Sequence, residues 1–175
     1  MKFPVIVATI TVAVALLTAC APEAKEDPAV QAMRAAAEAQ SQMTAALDAV
    51  IVAWDTGNTD SLDAIMSPGV QRTAPDQNAN NLDEYKAFIA EVRKVYPDFR
   101  ISNDGSAVGP NGGFVQWTVT GTDSGTADAT GNALNASGIS RYEFEDGKIV
   151  SEFAVFDTGA VLTQLEREEL PRGAE

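Results

Sequence analysis

The hydrophobic positions change their spacing along the chain, from a helical period in the first half to strict alternation in the second. In the first long helical segment, Asp27 and Pro28 supply an N-cap and a proline at the first helical position, and Gly57 supplies the stop. Its stripe is strongly apolar only from Leu47 onward, so we expect the alanine-rich first half to extend beyond the core or to pack on a partner. The stripe consists of Val30, Met33, Ala37, Gln40, Thr44, Leu47, Ile51 and Trp54.

Two further helices are predicted before the spacing changes. A short helix over residues 60–66 is followed by a Pro-Gly turn at residues 68–69. Asn81 with Glu84 three positions later resembles a capping box, and the helix that it begins ends before Pro97. The apolar positions of that helix are Leu82, Tyr85, Phe88, Ile89, Val92 and Val95.

Beyond Pro97 the apolar residues alternate, which predicts strands. The Asp-Gly pair at residues 146–147 is a strong signal for a two-residue hairpin turn. Residues 122–137 are rich in small polar side chains and predict a loop, and residues 162–168 predict a last helical turn. Helices followed by antiparallel strands indicate an α+β domain, with helices over one face of a curved sheet and a cone open at one end. The predicted strands are residues 99–108, 114–121, 138–145 and 148–157.

The first 20 residues have the pattern of a secretory signal peptide: Lys2, an apolar run over residues 3–17, and small residues before Cys20. The run of 15 residues is shorter than the roughly 20 that a membrane-spanning helix needs. Residues 17–20 (LTAC) resemble the bacterial lipobox, which implies cleavage before Cys20 and a lipid on its thiol. The alternatives are a plain membrane anchor and an ordinary buried cysteine.

These features divide the chain into a signal peptide (residues 1–19), a lipidated cysteine with its linker (20–28), one domain (29–168) and a frayed tail (169–175). We expect the protein at the cell envelope, attached to the membrane through the lipid on Cys20. In a host with two membranes, the alanine after that cysteine favours the outer membrane, facing the periplasm.

Composition excludes several functions. The net charge is −13 at pH 7, so we expect no nucleic-acid partner, because phosphate binding requires a basic surface. The chain contains no histidine and one cysteine, so Ser-His-Asp catalysis and histidine-ligated zinc are excluded. We predict no cofactor and no metal, and any proton chemistry must use carboxylates, tyrosine, lysine, arginine or water.

Three blocks of residues resemble a known family. They are WDTGN with DSLDAI in residues 54–65, YPDF in residues 96–99, and RYEFEDGKIV in residues 141–150 followed by Asp157 and LTQL in residues 162–165. In this order they resemble the SnoaL-like polyketide cyclases, also called ester cyclases, of the nuclear transport factor 2-like superfamily. The resemblance implies the cone-shaped fold and an intramolecular aldol closure without metal or cofactor.

In that family an aspartate at the end of the last strand acts as acid and base, and Asp157 lies at the matching position. Alternation gives it the same face as Phe153 and Val155, so a cavity on that face would raise the pKa of its carboxyl group. The alternative is an N-cap for the turn that begins at Thr158.

The sequence departs from the family where its pocket histidines stand. Asp123 occupies one such position, and an Asp123–Asp157 pair could share one proton; the alternative is an ordinary loop aspartate. Arg72 lies near another such position and could receive an acidic ligand or pair with Asp157; the alternative is a salt bridge at the rim. The predicted pocket walls, which could equally be plain core, are Trp54, Tyr85, Phe88 and Trp117.

Three functions stay open at this point. The first is a tethered module that binds a small apolar molecule in the cone, which the missing histidines favour. The second is a cyclase, isomerase or hydrolase that uses Asp157, which the aspartate at the strand end favours. The third is a homodimer through the outer face of the sheet, where Gln116, Thr118 and Thr120 would meet the partner.

Overall fold

The computed structural model describes residues 27–171; the predicted signal peptide and Cys20 lie outside this range. Within it, no helix has both the length and the apolar character needed to cross a membrane. The helices are α1 (Pro28–Thr56), α2 (Leu62–Ile65), α3 (Leu82–Val95) and α4 (Thr158–Leu165). The strands are β1 (Met66–Thr73), β2 (Arg100–Gly109), β3 (Gly112–Thr122), β4 (Ala133–Glu145) and β5 (Lys148–Phe156).

Helix α1 has the boundaries that its capping residues predict. The Asp27 carboxylate accepts a hydrogen bond from the Ala29 backbone N–H at 2.8 Å, and Gly57 ends the helix in the left-handed conformation at φ 75°. Residues 28–42 are exposed on every side, and burial begins at Met43. The expected extension is therefore confirmed, and about 22 Å of helix stands clear of the core.

Helix α3 is also confirmed, together with its capping box. The Asn81 Oδ1 atom accepts from the Glu84 backbone N–H at 2.9 Å, while the Glu84 carboxylate accepts from the Asn80 backbone N–H at 2.8 Å. The helix ends at Val95, two residues before Pro97, which cannot continue the helical hydrogen bonds.

The five strands form one sheet in the order β1-β5-β4-β3-β2. Three of its four pairings are antiparallel, but β1 lies parallel to β5, so the sheet is mixed rather than wholly antiparallel. The predicted β4–β5 hairpin is confirmed, since Asp146 and Gly147 have φ values of 48° and 77°, as a two-residue primed turn requires.

The prediction of a turn at residues 68–69 is wrong, because these residues lie inside strand β1. Proline is tolerated in a strand at the edge of a sheet, where a missing N–H breaks no ladder bond, and β1 is such a strand. The register against β5 also shifts between Met66 and Gln71, which accommodates the irregular backbone of this segment.

The helices cover one face of the curved sheet, and the core lies between them. The α+β cone predicted from the order of elements is therefore the observed fold. The two largest differences in boundaries are that β4 begins at Ala133 rather than at residue 138 and that α4 begins at Thr158 rather than at residue 162. Pairing with β3 extends β4 through residues 133–137 (ALNAS), most of which have little strand propensity of their own.

Candidate functional site

A cavity of about 130 Å³ lies between the inner face of the sheet and the helices. Most of its surface is apolar, and polar side chains are concentrated at one wall and at the half-buried rim, which includes Asp76, Gln77 and Glu91. The apolar and aromatic lining comprises Trp54, Phe88, Val92, Val95, Tyr96, Phe99, Trp117, Val119, Leu134, Ala136, Tyr142, Ala154, Phe156, Val161, Leu170 and Pro171.

The polar wall is organised around Glu152 of β5, which is only 4% exposed. Its Oε1 atom accepts hydrogen bonds from the Ser140 hydroxyl at 2.7 Å and from the Tyr142 hydroxyl at 3.1 Å. Its Oε2 atom accepts from the Tyr85 hydroxyl at 2.6 Å. A buried carboxylate is tolerated when it is hydrogen-bonded and paired with a cation, and three hydroxyl groups supply the first of these conditions.

The cation is Arg72 of β1, whose Nε atom lies 3.6 Å from Glu152 Oε2. Its two Nη atoms donate to the Asp76 carboxylate at 2.9 and 3.1 Å, and Nη1 also donates to the Gln77 carbonyl. The guanidinium carbon lies 4.7 Å from the centre of the Phe88 ring. Burial by itself lowers the pKa of Arg72, but the charges of Glu152 and Asp76 outweigh it and raise that pKa, so the side chain stays positive.

The two phenols beside Glu152 are held in their neutral form. Burial, and then the negative charge of Glu152, raises the pKa of Tyr85 and of Tyr142 well above the ordinary value. Each therefore remains a hydrogen-bond donor at neutral pH. The indoles extend this network, since Trp54 Nε1 donates to the Tyr85 hydroxyl at 3.1 Å and Trp117 Nε1 donates to the Ser140 hydroxyl at 3.0 Å.

One buried polar atom of this wall has no partner. Arg72 Nε makes no hydrogen bond within residues 27–171, because 3.6 Å to Glu152 is beyond hydrogen-bond distance. The wall therefore contains one buried donor without a hydrogen bond, next to the Phe88 ring, and the cation is already balanced by Glu152 and Asp76. Over the same residues, no cluster of carboxylates or other ligating side chains is arranged to hold a metal ion.

Three of the four predicted wall residues, Trp54, Phe88 and Trp117, line the cavity, and so does Arg72, the predicted ligand-binding arginine. Tyr85 does not line it; this residue lies behind the wall, where its hydroxyl joins Trp54 to Glu152. Arg72 is neither a rim residue nor a partner of Asp157, since it is 5% exposed and pairs with Asp76 and Glu152.

The predicted position of Asp157 in the cavity is wrong. Asp157 is exposed, and its Oδ1 atom accepts from the Ala160 backbone N–H at 2.9 Å, so it is the N-cap of α4. Phe153 and Val155 do share a face, but that face is the outer one, where both are about 45% exposed. The alternative that Asp157 is an N-cap is the one that the structure supports.

The physical reason is a bulge in β5. Glu143 of β4 pairs with Ser151, and the next residue of β4, Phe144, pairs with Ile149, so Val150 is an extra residue in β5. A bulge reverses the alternation of faces beyond it. Ile149 is buried, and after the bulge the buried positions are Glu152 and Ala154.

Asp123 is buried but belongs to a different contact. Its Oδ2 atom accepts from Arg167 Nε at 2.7 Å and from the Thr130 hydroxyl at 3.0 Å. Burial raises the pKa of Asp123, but the hydrogen bonds from Arg167 and Thr130 outweigh burial and lower that pKa. The expected proton-sharing pair of Asp123 with Asp157 does not form, because each carboxylate is committed to other partners.

Sequence reasoning missed Glu152, Ser140 and Tyr142 as members of the site. Both faces of β5 carry apolar side chains, so alternation alone could not select the face that contains Glu152. The available signal was the charge itself, since a glutamate in a largely apolar strand requires a partner if its face is buried.

Comparison with known proteins agrees with this architecture. The model of the SnoaL-like domain matches residues 47–152. No curated protein matches the sequence.

Solved structures with the same fold share little sequence. A candidate SnoaL-like polyketide cyclase from Jannaschia sp. CCS1 has a TM-score of 0.61 at 19% identity, over 72% of this chain and 92% of that one. IdmH, a candidate polyketide cyclase from Streptomyces antibioticus, has a TM-score of 0.63 at 16% identity, over 71% of this chain and 99% of that one. A protein with a ketosteroid isomerase-like fold from Catenulispora acidiphila, in complex with trimethylamine, has a TM-score of 0.62 at 11% identity, over 72% of this chain and 97% of that one.

The matched residues span most of the sheet, the last ten residues of α1 and all of α3, and they include Trp54, Arg72 and Glu152. On the strength of that match, which covers more than half of the chain, the protein belongs to the family defined by the SnoaL-like domain.

Proposed function

We propose that the domain binds one small, largely apolar and uncharged molecule in the cavity, with an acceptor atom of that molecule on Arg72. The observation that carries this proposal is the buried Arg72 Nε atom, which lacks a hydrogen-bond partner in the described part of the chain. Leaving a buried donor unpaired costs about 1–3 kcal/mol. A ligand oxygen that accepted from Nε would remove this cost.

Charge favours a neutral ligand. Arg72 is already compensated by Glu152 and Asp76, and Glu91 adds a third carboxylate to the lining. An anionic ligand would place one more negative charge in a site of low dielectric constant, where like charges repel strongly. A carbonyl, ether or hydroxyl oxygen is therefore favoured over the acidic ligand that Arg72 suggested in the sequence.

The size of the cavity limits the ligand to about one ring. An apolar protein cavity of roughly 150 Å³ accommodates benzene, and this cavity is of similar volume, about 130 Å³. The Catenulispora acidiphila protein, which was solved in complex with trimethylamine, supports the idea that this fold can hold a molecule of a few atoms.

A matched series of ligands tests the proposal. Cyclohexanone should bind about tenfold or more tightly than methylcyclohexane, which lacks an acceptor, because a hydrogen bond to a charged group contributes about 1.5–3 kcal/mol. Cyclohexanecarboxylate should bind least well. The affinities are measured by NMR titration of the purified protein.

Two variants locate the site. Ala154→Leu places a larger side chain at the cavity wall and should abolish binding of cyclohexanone. Asp157→Asn keeps an N-cap outside the cavity and should leave the affinity unchanged. Equal affinity for all three ligands, or full binding by Ala154→Leu, would contradict the proposal.

A cofactor-independent enzyme, as a cyclase, isomerase or hydrolase, is the second candidate. The observation that favours it is a carboxylate, Glu152, in the cavity wall beside two phenol donors, Tyr85 and Tyr142. Such a carboxylate can remove the proton next to a bound carbonyl group, and Arg72 can stabilise the oxyanion that develops. In this proposal Glu152 takes the role that the family resemblance gave to Asp157.

Hydrogen exchange separates binding from catalysis. If Glu152 acts as a base, the protein should accelerate exchange of the α-hydrogens of cyclohexanone in D₂O, and Glu152→Gln should remove the acceleration while Asp157→Asn retains it. Cyclohexanone that binds without accelerated exchange identifies a binding module and excludes this catalytic role for Glu152.

We further propose that the outer face of the sheet pairs two copies of the chain. Phe114, Ile139, Phe153 and Val155 form an exposed apolar patch there, each 44–52% exposed, beside the expected contact residue Gln116. Val155→Glu should convert a dimer into a monomer by light scattering. Val52→Glu, at an exposed valine on α1, should not. A wild-type monomer would exclude this pairing.

We also propose that a lipid on Cys20 holds the mature chain at the cell envelope. The LTAC sequence of residues 17–20 supports this, and the exposed first half of α1 would separate the domain from the membrane surface. Cys20→Ser should move the protein from the membrane fraction to the soluble fraction, while Ala21→Ser should not. Retention of Cys20→Ser in the membrane would contradict lipid anchoring.

A further inference from the structure

The segment that follows α4 lies against the cavity. Sequence analysis assigned residues 169–175 to a frayed tail, whereas Leu170 and Pro171 are half-buried and form part of the cavity lining. Leu170 also packs against the hydrophobic core. Glu166 takes a left-handed conformation at φ 53°, which ends the helix and turns the chain toward the cavity. We call residues 166–171 the strap.

The strap is attached mainly through one side chain. Within the described residues, Arg167 is the last strap residue whose backbone makes a hydrogen bond: its N–H donates to the Leu162 carbonyl at 3.0 Å. The Arg167 guanidinium donates to Asp123 at 2.7 Å, to the Asp128 carboxylate at 2.9 Å and to the Asp128 carbonyl at 2.9 Å. We call this set of contacts the latch.

The latch differs from a surface salt bridge because its carboxylate, that of Asp123, is buried. Asp123 is fully buried, and its Oδ1 atom has no hydrogen-bond partner in the described chain. Most of the compensation for this buried carboxylate therefore comes from Arg167, with Thr130 as its other donor. Opening the latch leaves the carboxylate partly uncompensated, which favours the closed state.

Tyr96 connects the latch to the cavity. Its ring lines the cavity, and the negative charge of Asp123 acts on its hydroxyl: burial, followed by that charge, raises the pKa of Tyr96 to about 12. The Asp123 carboxylate of the latch thus lies close enough to this wall residue for its charge to act on the Tyr96 hydroxyl. Movement of Arg167 changes the surroundings of a wall residue as well as the position of the strap.

We propose that the strap closes the cavity and that the latch formed by Arg167 with Asp123 and Asp128 sets how often it opens. Leu170 and Pro171 then act as the removable part of the lining, and a molecule enters or leaves when they swing away. The role of the strap in ligand entry rests on the proposed binding function, whereas its opening can be measured in the protein without a ligand.

Acrylamide quenching of tryptophan fluorescence provides the test. The chain has two tryptophans, and both Trp54 and Trp117 line the cavity at less than 10% exposure. In the purified full-length protein, Arg167→Gln should raise the Stern–Volmer quenching constant by about twofold or more, because local opening exposes buried groups. Leu170→Gly should do the same without touching the latch.

The matched control is Arg100→Gln, which removes an exposed ion pair between the edge strand β2 and Asp55, involves no residue of the latch, and should leave quenching unchanged. The double variant Asp123→Asn/Arg167→Gln avoids an unpaired buried charge and should still show raised quenching with cooperative thermal unfolding. Unchanged quenching in all strap variants overturns the inference, as does an equal rise in Arg100→Gln. Failure of cyclohexanone to bind would contradict the proposed ligand without affecting this result.

Discussion

Replacing Glu152 with leucine is expected to lower the free energy of unfolding by about 3–5 kcal/mol, the cost of removing one partner from a buried ion pair. The carboxylate accepts from three buried hydroxyl groups, those of Tyr85, Tyr142 and Ser140, and balances Arg72. Leucine leaves those hydroxyls without an acceptor and the cation with less compensation. Urea denaturation measures the loss as a lower midpoint at an unchanged slope.

Glu143→Leu is the matched control for this prediction. Glu143 lies on the neighbouring strand and pairs with Arg141, but both side chains are about half exposed. Surface changes of this kind usually alter stability by no more than about 0.5 kcal/mol. If Glu152→Leu proved as mild as Glu143→Leu, the buried pair would not stabilise the fold.

A double variant separates the charge from the shape of the site. Arg72→Met/Glu152→Leu removes both charges, and replacing a buried ion pair by apolar side chains is often neutral. We expect it to recover part of the stability lost in Glu152→Leu alone. If the double variant lost more free energy of unfolding than the two single variants lose in sum, the charges would not compensate each other.

Replacing Gly125 with alanine is expected to lower the free energy of unfolding by about 3 kcal/mol or more, at or above the largest losses usual for an overpacked site. A methyl group there would overlap the carbonyl oxygen of Lys94 and approach that of Val95 to 3.1 Å. Both belong to the end of α3, and the Gly125 N–H donates to the Val95 carbonyl at 3.0 Å. The backbone therefore has to move, and the loop between Asp123 and Asp128 moves with it.

Gly105→Ala is the control, because among residues 27–171, apart from the two chain neighbours, no atom lies within 4 Å of the added methyl group, and the backbone is not left-handed. We expect a change within about 0.5 kcal/mol. Thermal unfolding distinguishes the two variants, since each kcal/mol shifts Tm by about 2–4 °C in a domain of this size. Similar melting temperatures for the two variants would contradict the close packing of the loop against α3.

Elements governed by local chemistry could be predicted from the sequence. Asp27 and Asn81 begin α1 and α3 because their side chains accept hydrogen bonds from backbone N–H groups two or three residues away. Residues 146–147 form the hairpin turn because Asp-Gly tolerates positive φ at both positions. In each case the deciding contacts lie within a few residues of one another.

Strand β1 could not be predicted in this way. Its Pro68 and Gly69 favour a turn when only neighbouring residues are considered. The segment becomes a strand because it pairs with β5, about 80 residues later in the chain, at the edge of the sheet. That pairing also brings Arg72 beside Glu152.

By itself, the sequence determined the order of the elements other than β1, and the caps and turn that begin or end α1, α3 and the β4–β5 hairpin. Only the tertiary structure decided which carboxylate faces the cavity. Alternation correctly grouped Phe153 and Val155 on one face of β5, but the bulge at Val150 turned that face outward and brought Glu152 inside. A bulge depends on the register between β4 and β5, which is fixed by packing across the whole sheet rather than by neighbouring residues.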